Sequence, residues 1–483
     1  MKKFPIKELA EIINAKPLYA ERCALNAVIS GVSTDSRTLK PGDCFFAITG
    51  ENLDGHNYLS DAFDNGAICA VISKVSNDKK LAGRCLLKVD DTIKALGRLA
   101  SSYRQQNNFN VISITGSVGK TTTRHIAYRV LSRHYRCYQA PKNFNNNIGL
   151  PLTLLGADHN DEIIITELAT NHLGEIEYLT KIAQPNVALI TNVHPVHLEG
   201  FGNLETIAAE KLSIAKGLLP NGCLIINADL RKWLNQQSQI TDYQIMTFGK
   251  LDPCDIKAHN ISYSPRHSRF SILVHRPVRR SVGEVGSFSA GGNDTEVLLP
   301  LPGAGNVENA LAAFSICSRF GINIDDFAHA VKTLRPVPMR TEFLQIGTLT
   351  VLNDCYNANP ASMKNALDIL ANLGPAENRR LVFICGDMAE LGPQTQSLHA
   401  EIGSSIPHAN VRLIITVGNL AKITAKSAKK SANYILQTKC FKDAPSACNN
   451  LKNYIKDDDI VLVKGSRIAK LEIVIDKLKE LFS

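Results

Sequence analysis

Short apolar runs alternate with helical stretches from about residue 108 onward. The run NVISIT (110–115) precedes TTTRHIAYRVLSRHY (121–135), in which the apolar positions have helical spacing. Similar apolar runs follow at EIIITEL (162–168), VALITNV (187–193) and CLIINAD (223–229). Short, continuously apolar runs are typical of strands that are buried on both faces of a parallel sheet. The pattern therefore predicts an α/β domain built around a mostly parallel sheet.

The same pattern divides the chain into three predicted domains. Residues 1–107 combine short strands with turn signals and predict a small α/β domain, and residues 108–336 contain the runs described above. The stretch LRPVPMR (334–340) has two prolines after a helical run, which is typical of a linker. A third, smaller α/β domain is predicted over residues 337–483 because strand-like runs again alternate with helical stretches. These runs are LTVLNDCY, LVFICGD, VRLIITVG and DIVLVKGS.

One segment of the second domain departs from this alternation. Residues 276–295 (RPVRRSVGEVGSFSAGGNDT) are rich in glycine, serine and arginine. Such a composition is typical of a surface loop or a hairpin extension, and both interpretations stay open here.

The composition is that of an ordinary globular protein. Of the 483 residues, 44% are apolar and 20% are charged, so a disordered chain and a disulfide-stapled miniprotein are both excluded. No apolar run approaches the roughly 18 residues that a membrane span needs. The start, MKKFPIKELAEIINAKP, lacks an uninterrupted apolar stretch, so a secretory signal is not expected. We expect a cytoplasmic protein without a membrane span.

The distribution of charge limits the classes of ligand, and the spacing of the cysteines bears on metal binding and on the redox compartment. The net charge of +9 is scattered along the chain, and no basic stripe with interleaved aromatic residues predicts nucleic-acid binding. A mildly basic net charge fits anionic small substrates. The twelve cysteines form no C-x-x-C pair, so a zinc site is not predicted. We interpret them as buried thiols of a reducing compartment, many inside apolar strands, as at Cys223, Cys317 and Cys385.

The sharpest local signal is TGSVGKTTT (115–123), which follows a predicted strand and opens a predicted helix. Backbone N–H groups at such a helix start offer positive potential to phosphate oxygens. Lys120 can reach the β- and γ-phosphates, and the Thr121 hydroxyl can ligate Mg²⁺. The alternative is an ordinary glycine-rich turn with an exposed lysine, but G-K-T-T in this context favours a nucleotide. The predicted nucleotide contacts of this loop are Gly116, Ser117, Val118, Gly119, Lys120, Thr121 and Thr122.

The loop is a shortened G-x-x-G-K-T form, because Ile114 stands where the full eight-residue pattern requires glycine. With the preceding Thr115 it resembles the phosphate loop of the Mur ligase family. Nine further segments resemble that family in the family's own order. They are TDSR (34–37), PGDCFFAITGE (41–51), DGH (54–56), NFNNNIGLPLTLL (143–155), TELATNHLGEI (166–176), TNVHPVHLEGFG (191–202), NDCYNANPASM (353–363), GDMAELG (386–392) and VKGSR (463–467).

The resemblance implies an ATP-dependent amide ligase of peptidoglycan synthesis. ATP would phosphorylate the terminal carboxylate of a UDP-N-acetylmuramoyl-tripeptide, and the amine of D-alanyl-D-alanine would attack the acyl phosphate to give the pentapeptide. The first domain would dock the substrate, the second would be a P-loop ATPase and the third would be Rossmann-like. Bringing two anions together requires concentrated positive charge, so lysine and metal ions suit the task. The resemblance further implies ATP, two Mg²⁺ ions and a monomer as the working form.

Four residues would contact metal or phosphate by this resemblance. Glu167, at the end of an apolar strand, matches a metal ligand; the alternative is a strand-end acid that faces solvent. His197 matches a ligand of a second Mg²⁺, with a structural role as the alternative. Lys211 matches a lysine that is carbamylated in the family; by itself, a lysine beside Glu210 on a helix predicts a solvated face. Arg340 matches an arginine that contacts the γ-phosphate when the domains close, and a guanidinium suits that role.

Further matches concern the nucleotide and the two substrates. Asn306 and Asn309 match residues near the adenine, although Asn306 is also a plausible helix N-cap. A loop of the third domain matches residues that face the nucleotide and the incoming substrate, with turn chemistry at Asn359–Pro360 as the alternative. That loop contributes Asp354, Tyr356, Asn357 and Asn359. Asp35, Ser36 and Arg37 match the uridine-diphosphate side of the first domain.

Three residues depart from the family pattern. His194 stands where the family usually has glycine, Ser213 where it often has glutamate, and Gly305 where it has the histidine of G-x-H-N-x-x-N. Two alternatives stay open beside the dipeptide-adding ligase. One is a related amide ligase, such as the enzyme that adds the third peptide residue or a folylpolyglutamate synthetase. The other, which the departures suggest, is a nucleotide-binding regulator without catalysis, against which Lys120, Glu167, His197 and Lys211 argue.

Overall fold

The computed structural model describes residues 3–18, 24–75, 78–234, 243–275 and 295–483, without the side chains of 374–376. The loop or hairpin predicted at 276–295 lies outside the described residues apart from Thr295. In the part of the chain that the structure describes, no helix has the length and apolar character needed to cross a bilayer. Three α/β units, each with its own main sheet, follow one another along the chain, so the predicted fold class is confirmed. We call them the first layer (elements within residues 4–106), the second layer (110–331) and the third layer (342–482).

The first layer has a five-stranded sheet in the order β2-β7-β6-β5-β4 and a small antiparallel pair of β1 with β3. Its sheet is parallel except where β2 joins β7. Asp91 begins the long helix α3 by accepting hydrogen bonds from two backbone N–H groups in the first turn. The elements are β1 (Phe4–Pro5), α1 (Ile6–Ile13), β2 (Lys16–Leu18), β3 (Val28–Ile29), β4 (Gly31–Ser33), β5 (Asp43–Phe46), α2 (Leu59–Asp64), β6 (Cys69–Ile72), β7 (Leu86–Lys88) and α3 (Thr92–Gln106).

The second layer has a nine-stranded sheet in the order β16-β15-β14-β13-β12-β11-β8-β10-β9. Seven of its strands are parallel, and β15 and β16 add an antiparallel edge. The strands are β8 (Asn110–Thr115), β9 (Cys137–Gln139), β10 (Ile163–Glu167), β11 (Val187–Ile190), β12 (Cys223–Asn227), β13 (Gln244–Gly249), β14 (Ile256–Tyr263), β15 (Ser268–Val274) and β16 (Glu296–Leu299). The helices are α4 (Lys120–Leu131), α5 (Gly149–Gly156), α6 (Glu175–Ala183), α7 (Leu198–Phe201), α8 (Leu204–Leu212), α9 (Arg231–Leu234), α10 (Ala304–Ser318) and α11 (Ile324–Val331).

Helices cover both faces of this central sheet, which is why its strands are apolar throughout. On β8, Val111 packs into the core shared with α3 and α5, while Ile112 and Ile114 pack on the opposite face against α4 and α10. The helix α10 is buried nearly all round. It also carries Cys317, so the expectation that this cysteine lies in a strand is wrong. A buried cysteine behaves as a small apolar residue on either element.

The third layer has a six-stranded sheet in the order β17-β18-β22-β19-β20-β21, parallel except for β17. Apolar cores lie on both of its faces. The strands are β17 (Glu342–Ile346), β18 (Leu349–Asn353), β19 (Leu381–Gly386), β20 (Leu413–Val417), β21 (Gln437–Phe441) and β22 (Ile460–Lys464). The helices are α12 (Pro360–Glu377), α13 (Thr395–Ser405), α14 (Ala421–Ser431), α15 (Ala444–Cys448) and α16 (Glu472–Phe482).

The strand order fixes where a ligand can bind. In the central sheet β8 lies between β10 and β11, so the loops that follow these three strands meet at one edge. The carboxyl ends of parallel strands are the usual ligand site of such sheets. The phosphate loop, Glu167 and the segment before His197 all leave the sheet at this edge.

Candidate active site

The phosphate loop owes its shape to two glycines. Gly116 has φ +144° and Gly119 has φ +89°, a region that side-chain-bearing residues rarely adopt. A Cβ on Gly116 would lie 1.9 Å from Thr191 Oγ1, and one on Gly119 would lie 2.0 Å from Asn309 Oδ1. Both positions therefore require glycine, and the loop is held tightly between β11 and α10. The helix α4 begins directly after it, at Lys120.

Lys120 is poised for an anion. Its Nζ donates a hydrogen bond to the Gly116 carbonyl oxygen at 2.7 Å. Burial lowers the pKa of Lys120 to about 8, the nearby Arg340 charge acts in the same direction, and Glu167 opposes both. A phosphate group beside this ammonium would stabilise its charged form.

The lowered pKa predicts a pH dependence of nucleotide binding. Because a phosphate favours the charged form of Lys120, ATP affinity should be constant well below pH 8 and fall above it. The fall should approach roughly tenfold per pH unit once the lysine is neutral. Calorimetric titration with ATP between pH 7 and pH 9.5 measures this directly. The matched control is Lys120→Arg, whose guanidinium stays charged; an equal pH dependence in that variant would contradict the assignment.

Glu167 is a buried acid, so the alternative of a solvent-facing carboxylate is wrong. It is 1% exposed, and its Oε2 accepts a hydrogen bond from Thr121 Oγ1 at 3.2 Å. Its Oε1 lies 3.1 Å from Arg124 Nε but accepts no hydrogen bond of good geometry. Arg124 also donates to the carbonyl oxygen of Ala140, and burial lowers its pKa. Sequence reasoning missed Arg124, although its position four residues after Lys120 places both on one helix face.

His197 links the second layer to the third. Its Nδ1 contacts the Glu390 carboxylate, and this contact with His197 is the main reason why the pKa of Glu390 lies below its usual value. The residue has φ +50° and directly precedes α7. The acid belongs to the GDMAELG segment, for which the sequence suggested no residue role. The Glu390–His197 contact supplies one.

Lys211 is not on a solvated face. It is 3% exposed, and burial with help from the charge of Lys120 lowers its pKa to about 7. Glu210 is also buried and accepts hydrogen bonds from the backbone N–H groups of Gly174 and Ile176, at the start of α6. The helix therefore turns both residues into the protein. A lysine with this pKa is partly neutral near pH 7, which makes its amine nucleophilic.

A loop of the third layer is fastened by Lys464, a residue of the VKGSR segment for which the sequence suggested no individual role. Lys464 Nζ lies 2.6 Å from Asp354 Oδ2 and donates to the Asn357 carbonyl oxygen at 2.9 Å. Asp354 Oδ1 in turn accepts from the Thr341 backbone N–H at 3.0 Å. The Arg340 guanidinium lies 4.2 Å from the centre of the Tyr356 ring, a cation–π contact. A lysine ending the apolar run IVLVK was the available sequence signal.

The structure contradicts two local roles that the sequence left open as alternatives. Asn359 Oδ1 accepts from the Ser362 N–H at 2.9 Å, and Ser362 Oγ accepts from the Asn359 N–H. Asn359 therefore caps the start of the helix α12 instead of opening a turn. Asn306 is not the N-cap of α10, because Gly303 precedes that helix. The Asn306 amide instead donates to the Pro302 carbonyl oxygen at 2.8 Å, and its Oδ1 accepts from Asn309 Nδ2.

The departures from the family pattern have identifiable surroundings. The His194 backbone N–H donates to Ser117 Oγ at 2.9 Å, and burial lowers the pKa of its imidazole. Ser213 Oγ donates to the Glu210 carbonyl oxygen at 2.6 Å, which completes the turn after α8. The Gly305 backbone N–H donates to Asn365 Oδ1 of the third layer at 3.1 Å. None of these contacts disrupts the phosphate loop.

A cavity of about 290 Å³ between the second and third layers collects most of the predicted site residues. Gly116 and Lys211 are not among the residues that line it. Asp35, Ser36 and Arg37 lie in the first layer, where Arg37 pairs with Asp35 at 2.7 Å, so their substrate role stays a prediction. The predicted residues that line the cavity are Ser117, Val118, Gly119, Lys120, Thr121, Thr122, Glu167, His197, Asn306, Asn309, Arg340, Asp354, Tyr356, Asn357 and Asn359.

A second cavity adjoins the first. It has about 580 Å³ and shares Asn145, Ala169 and Asn171 with the first cavity. Leu173 and Tyr178 add apolar surface to its lining. The two cavities thus meet at the carboxyl edge of the central sheet, one beside the phosphate loop and one beside α6.

Comparisons with known proteins agree with this geometry. The chain matches the Mur ligase family catalytic domain over residues 28–104, the Mur ligase middle domain over 114–317 and the glutamate ligase domain over 339–467. It is 33% identical to the UDP-N-acetylmuramoyl-tripeptide–D-alanyl-D-alanine ligase of Bacillus subtilis (strain 168) over 99% of both chains.

Solved structures give the same result. The chain is 29% identical to MurF from Acinetobacter baumannii, with a TM-score of 0.84 over 99% of both chains. It is 25% identical to the MurF ligase of Thermotoga maritima in complex with ADP, with a TM-score of 0.77 over 93% of this chain and 97% of that one. The resemblance found in the sequence motifs is thereby confirmed over nearly the whole length.

Proposed function

Because the chain belongs to the Mur ligase family, we propose that it is the ATP-dependent ligase that joins D-alanyl-D-alanine to a UDP-N-acetylmuramoyl-tripeptide in peptidoglycan synthesis. The observation that carries this proposal is the end-to-end similarity to ligases of that name. The cavity supports it, because phosphate-loop residues and Arg340 line the same space. The product is the UDP-N-acetylmuramoyl-pentapeptide.

The reaction has two covalent steps. A carboxylate oxygen of the tripeptide attacks the γ-phosphorus of ATP, the bond to the β,γ-bridging oxygen breaks, and ADP leaves. The D-alanyl-D-alanine amine then attacks the acyl carbon, inorganic phosphate leaves with the electrons of the carbon–oxygen bond, and the nitrogen loses a proton. Both steps concentrate negative charge, so the protein must supply positive charge at fixed positions.

Three groups of this chain supply that charge. The N–H groups at the start of α4 face the phosphates, Lys120 neutralises the β- and γ-phosphates, and Arg340 contacts the γ-phosphate from the third layer. Tyr356 holds the Arg340 guanidinium by its ring face, and Lys464 fastens the loop that carries Tyr356. We infer that these contacts limit the freedom of Arg340 before the nucleotide binds.

Thr121 and Glu167 would hold Mg²⁺. Both offer oxygen, the ligand that Mg²⁺ prefers, and Glu167 Oε1 is a buried acceptor without a hydrogen bond. No group of three His, Cys, Asp or Glu side chains converges among the described residues. That fits Mg²⁺, which usually takes one or two carboxylates and completes its shell with phosphates and water. Held there, the metal would neutralise phosphate charge, and His197 is our proposed ligand of a second ion.

We propose that Lys211 carries a carbamate, the adduct of its neutral amine with carbon dioxide. Its pKa of about 7 leaves about half of the amine neutral at pH 7, whereas an ordinary lysine is almost fully charged there. A carbamate would turn this buried cation into an anion near Lys120. That anion would support the positive charges that face the phosphates.

The carbamate predicts a labelled adduct. In ¹³C-bicarbonate, wild-type protein should show a carbamate signal by NMR, and the isosteric variant Lys211→Met should show none. The kcat of the same variant should fall by about 100-fold, the upper range for a group that acts on a metal site through the residues around it. Folding is checked by the melting temperature. A wild-type spectrum without the signal, or a variant of normal activity, contradicts the carbamate.

The second cavity is our proposed site for the peptide end of the UDP-N-acetylmuramoyl-tripeptide. It joins the nucleotide cavity at Asn145 and Asn171, so a carboxylate reaching through this junction meets the phosphate loop. Asp35, Ser36 and Arg37 would contact the uridine diphosphate in the first layer. We propose a cytoplasmic protein, since ATP, the UDP-linked substrate and the dipeptide are small soluble molecules; the monomer stays a prediction of the family resemblance.

The proposal is tested by phosphate release from ATP with UDP-N-acetylmuramoyl-tripeptide, with and without D-alanyl-D-alanine, followed by mass analysis of the product. Release that depends on the dipeptide, with a pentapeptide product, is expected. ATP binding without release would favour a nucleotide-binding regulator. Release with a single amino acid in place of the dipeptide would favour a related amide ligase.

A further inference from the structure

The nucleotide cavity has two ends. Thr121 and Glu167 mark the end where the γ-phosphate and metal would lie. At the other end, α10 lies beside the phosphate loop, because Asn309 Oδ1, in the second turn of that helix, occupies the space next to Gly119. Gly305 and Asn306 line this cavity on the side of α10. A nucleotide with its phosphates on the loop and its γ-phosphate toward Glu167 would extend its base toward them.

Gly305 leaves room at this base end, and a residue of another layer fills it. Asn365 Oδ1, from α12, accepts the Gly305 N–H at 3.1 Å and would lie 3.1 Å from a Cβ at that position. One turn further along α12, Ile369 Cδ1 would lie 2.9 Å from a Cβ on Gly303, which has φ +93°. The two glycines thus allow the third layer to approach the start of α10 closely.

The hydrogen bond also fixes the orientation of the Asn365 amide. A backbone N–H needs an acceptor, so the side-chain oxygen must face Gly305 and the NH₂ group must face away from it. In the described chain, Nδ2 of Asn365 donates to no protein acceptor, while the residue is half-buried and lines the cavity. For a donor without a protein partner in the lining of a cavity, a ligand acceptor is favourable.

We propose that Asn365 binds the purine base of the nucleotide, with Nδ2 donating to a ring nitrogen. It thereby supplies from the third layer the polar contact that Gly305, as a glycine, cannot make. Base recognition then depends on contact between the two layers, because α12 carries the donor and α10 orients it. This inference rests on the proposed function in one respect, namely that the cavity binds ATP.

The test compares two probes, ADP and inorganic tripolyphosphate, by calorimetry on the full chain. Tripolyphosphate occupies the phosphate loop but has no base. Asn365→Ala should weaken ADP binding roughly tenfold, the value of one hydrogen bond, and leave tripolyphosphate binding unchanged. Asn365→Asp should also weaken ADP binding, since it keeps the acceptor for Gly305 but loses the donor. The control Lys364→Ala, on an exposed position of the same helix, should change neither affinity.

A restoring variant sharpens the result. Gly305→His combined with Asn365→Ala places a polar side chain back on α10 and should recover most of the ADP affinity. In turnover, Asn365→Ala should raise KM for ATP with kcat within about twofold of wild type. Equal losses for ADP and tripolyphosphate, or an unchanged ADP affinity, would overturn the base contact alone. A wild-type protein that binds neither probe would overturn the proposed function as well.

Discussion

Replacing Lys120 by methionine is expected to lower kcat by about 10³-fold or more and to leave the fold intact. The ammonium is the charge that the phosphate loop aims at the β- and γ-phosphates, where negative charge develops during transfer. Methionine keeps an unbranched side chain of nearly the same length without its charge. Because Lys120 donates only to the Gly116 carbonyl oxygen in this structure, its loss should cost little stability. Phosphate release at saturating substrates measures the effect.

Two controls separate this result from general damage. Lys332→Ala removes an exposed lysine of the same layer, at the end of α11, and should keep wild-type activity. The melting temperature of Lys120→Met should stay within about 2 °C of wild type. Turnover by Lys120→Met close to the wild-type rate would refute the assignment of the phosphate loop.

Replacing Glu167 by glutamine should lower both the rate of turnover and the free energy of unfolding. Activity should fall by about 10²- to 10³-fold, because the proposed Mg²⁺ ligand loses its charge. Stability should fall because Arg124, 3.1 Å away and largely buried, is left without its counter-charge. Breaking a buried pair in this way costs about 3 kcal/mol, which should lower the melting temperature by several degrees. Phosphate release and thermal unfolding give the two readouts.

A second variant separates the two roles of Glu167. Glu167→Gln combined with Arg124→Met removes both buried charges, so it should recover part of the lost melting temperature. Activity should not recover, because the carboxylate is still missing. Recovery of activity in the double variant would mean that Glu167 serves only to balance Arg124, which would remove the reason for placing a metal there.

Much of the fold could be predicted because the local pattern and the tertiary structure agree. The run NVISIT is β8 to the residue, and the predicted strands at 187–193 and 223–229 contain β11 and β12. The strands are buried on both faces, so their apolar runs are continuous and easy to recognise. The phosphate loop was predictable for a related reason, since its glycines, lysine and threonine act within a few residues of one another.

The missed residues act across long sequence separations. Lys464 meets Asp354, 110 residues earlier, only because β22 and β18 are neighbouring parallel strands. Glu390 and Asn365 act by contact between layers, and no local pattern encodes such an approach. For Lys211 the residues alone suggested a solvated face, and only the family resemblance pointed to the site; the packing of α8 buries it. A register on a sheet, or a contact between layers, must be known before such residues can be assigned.

Because the nucleotide cavity is built from two layers, recombination that exchanges only one of them would combine unmatched residues in the cavity. Its phosphate loop and the start of α10 lie before residue 332, whereas Arg340, Tyr356 and Asn365 lie after it, and a short connection joins the two parts. Recombination within that connection would pair a Gly305 from one parent with an unsuited residue 365 from another. Selection should therefore keep the two halves together as one hereditary unit, and compensating changes should arise at 305 and 365 in the same lineages.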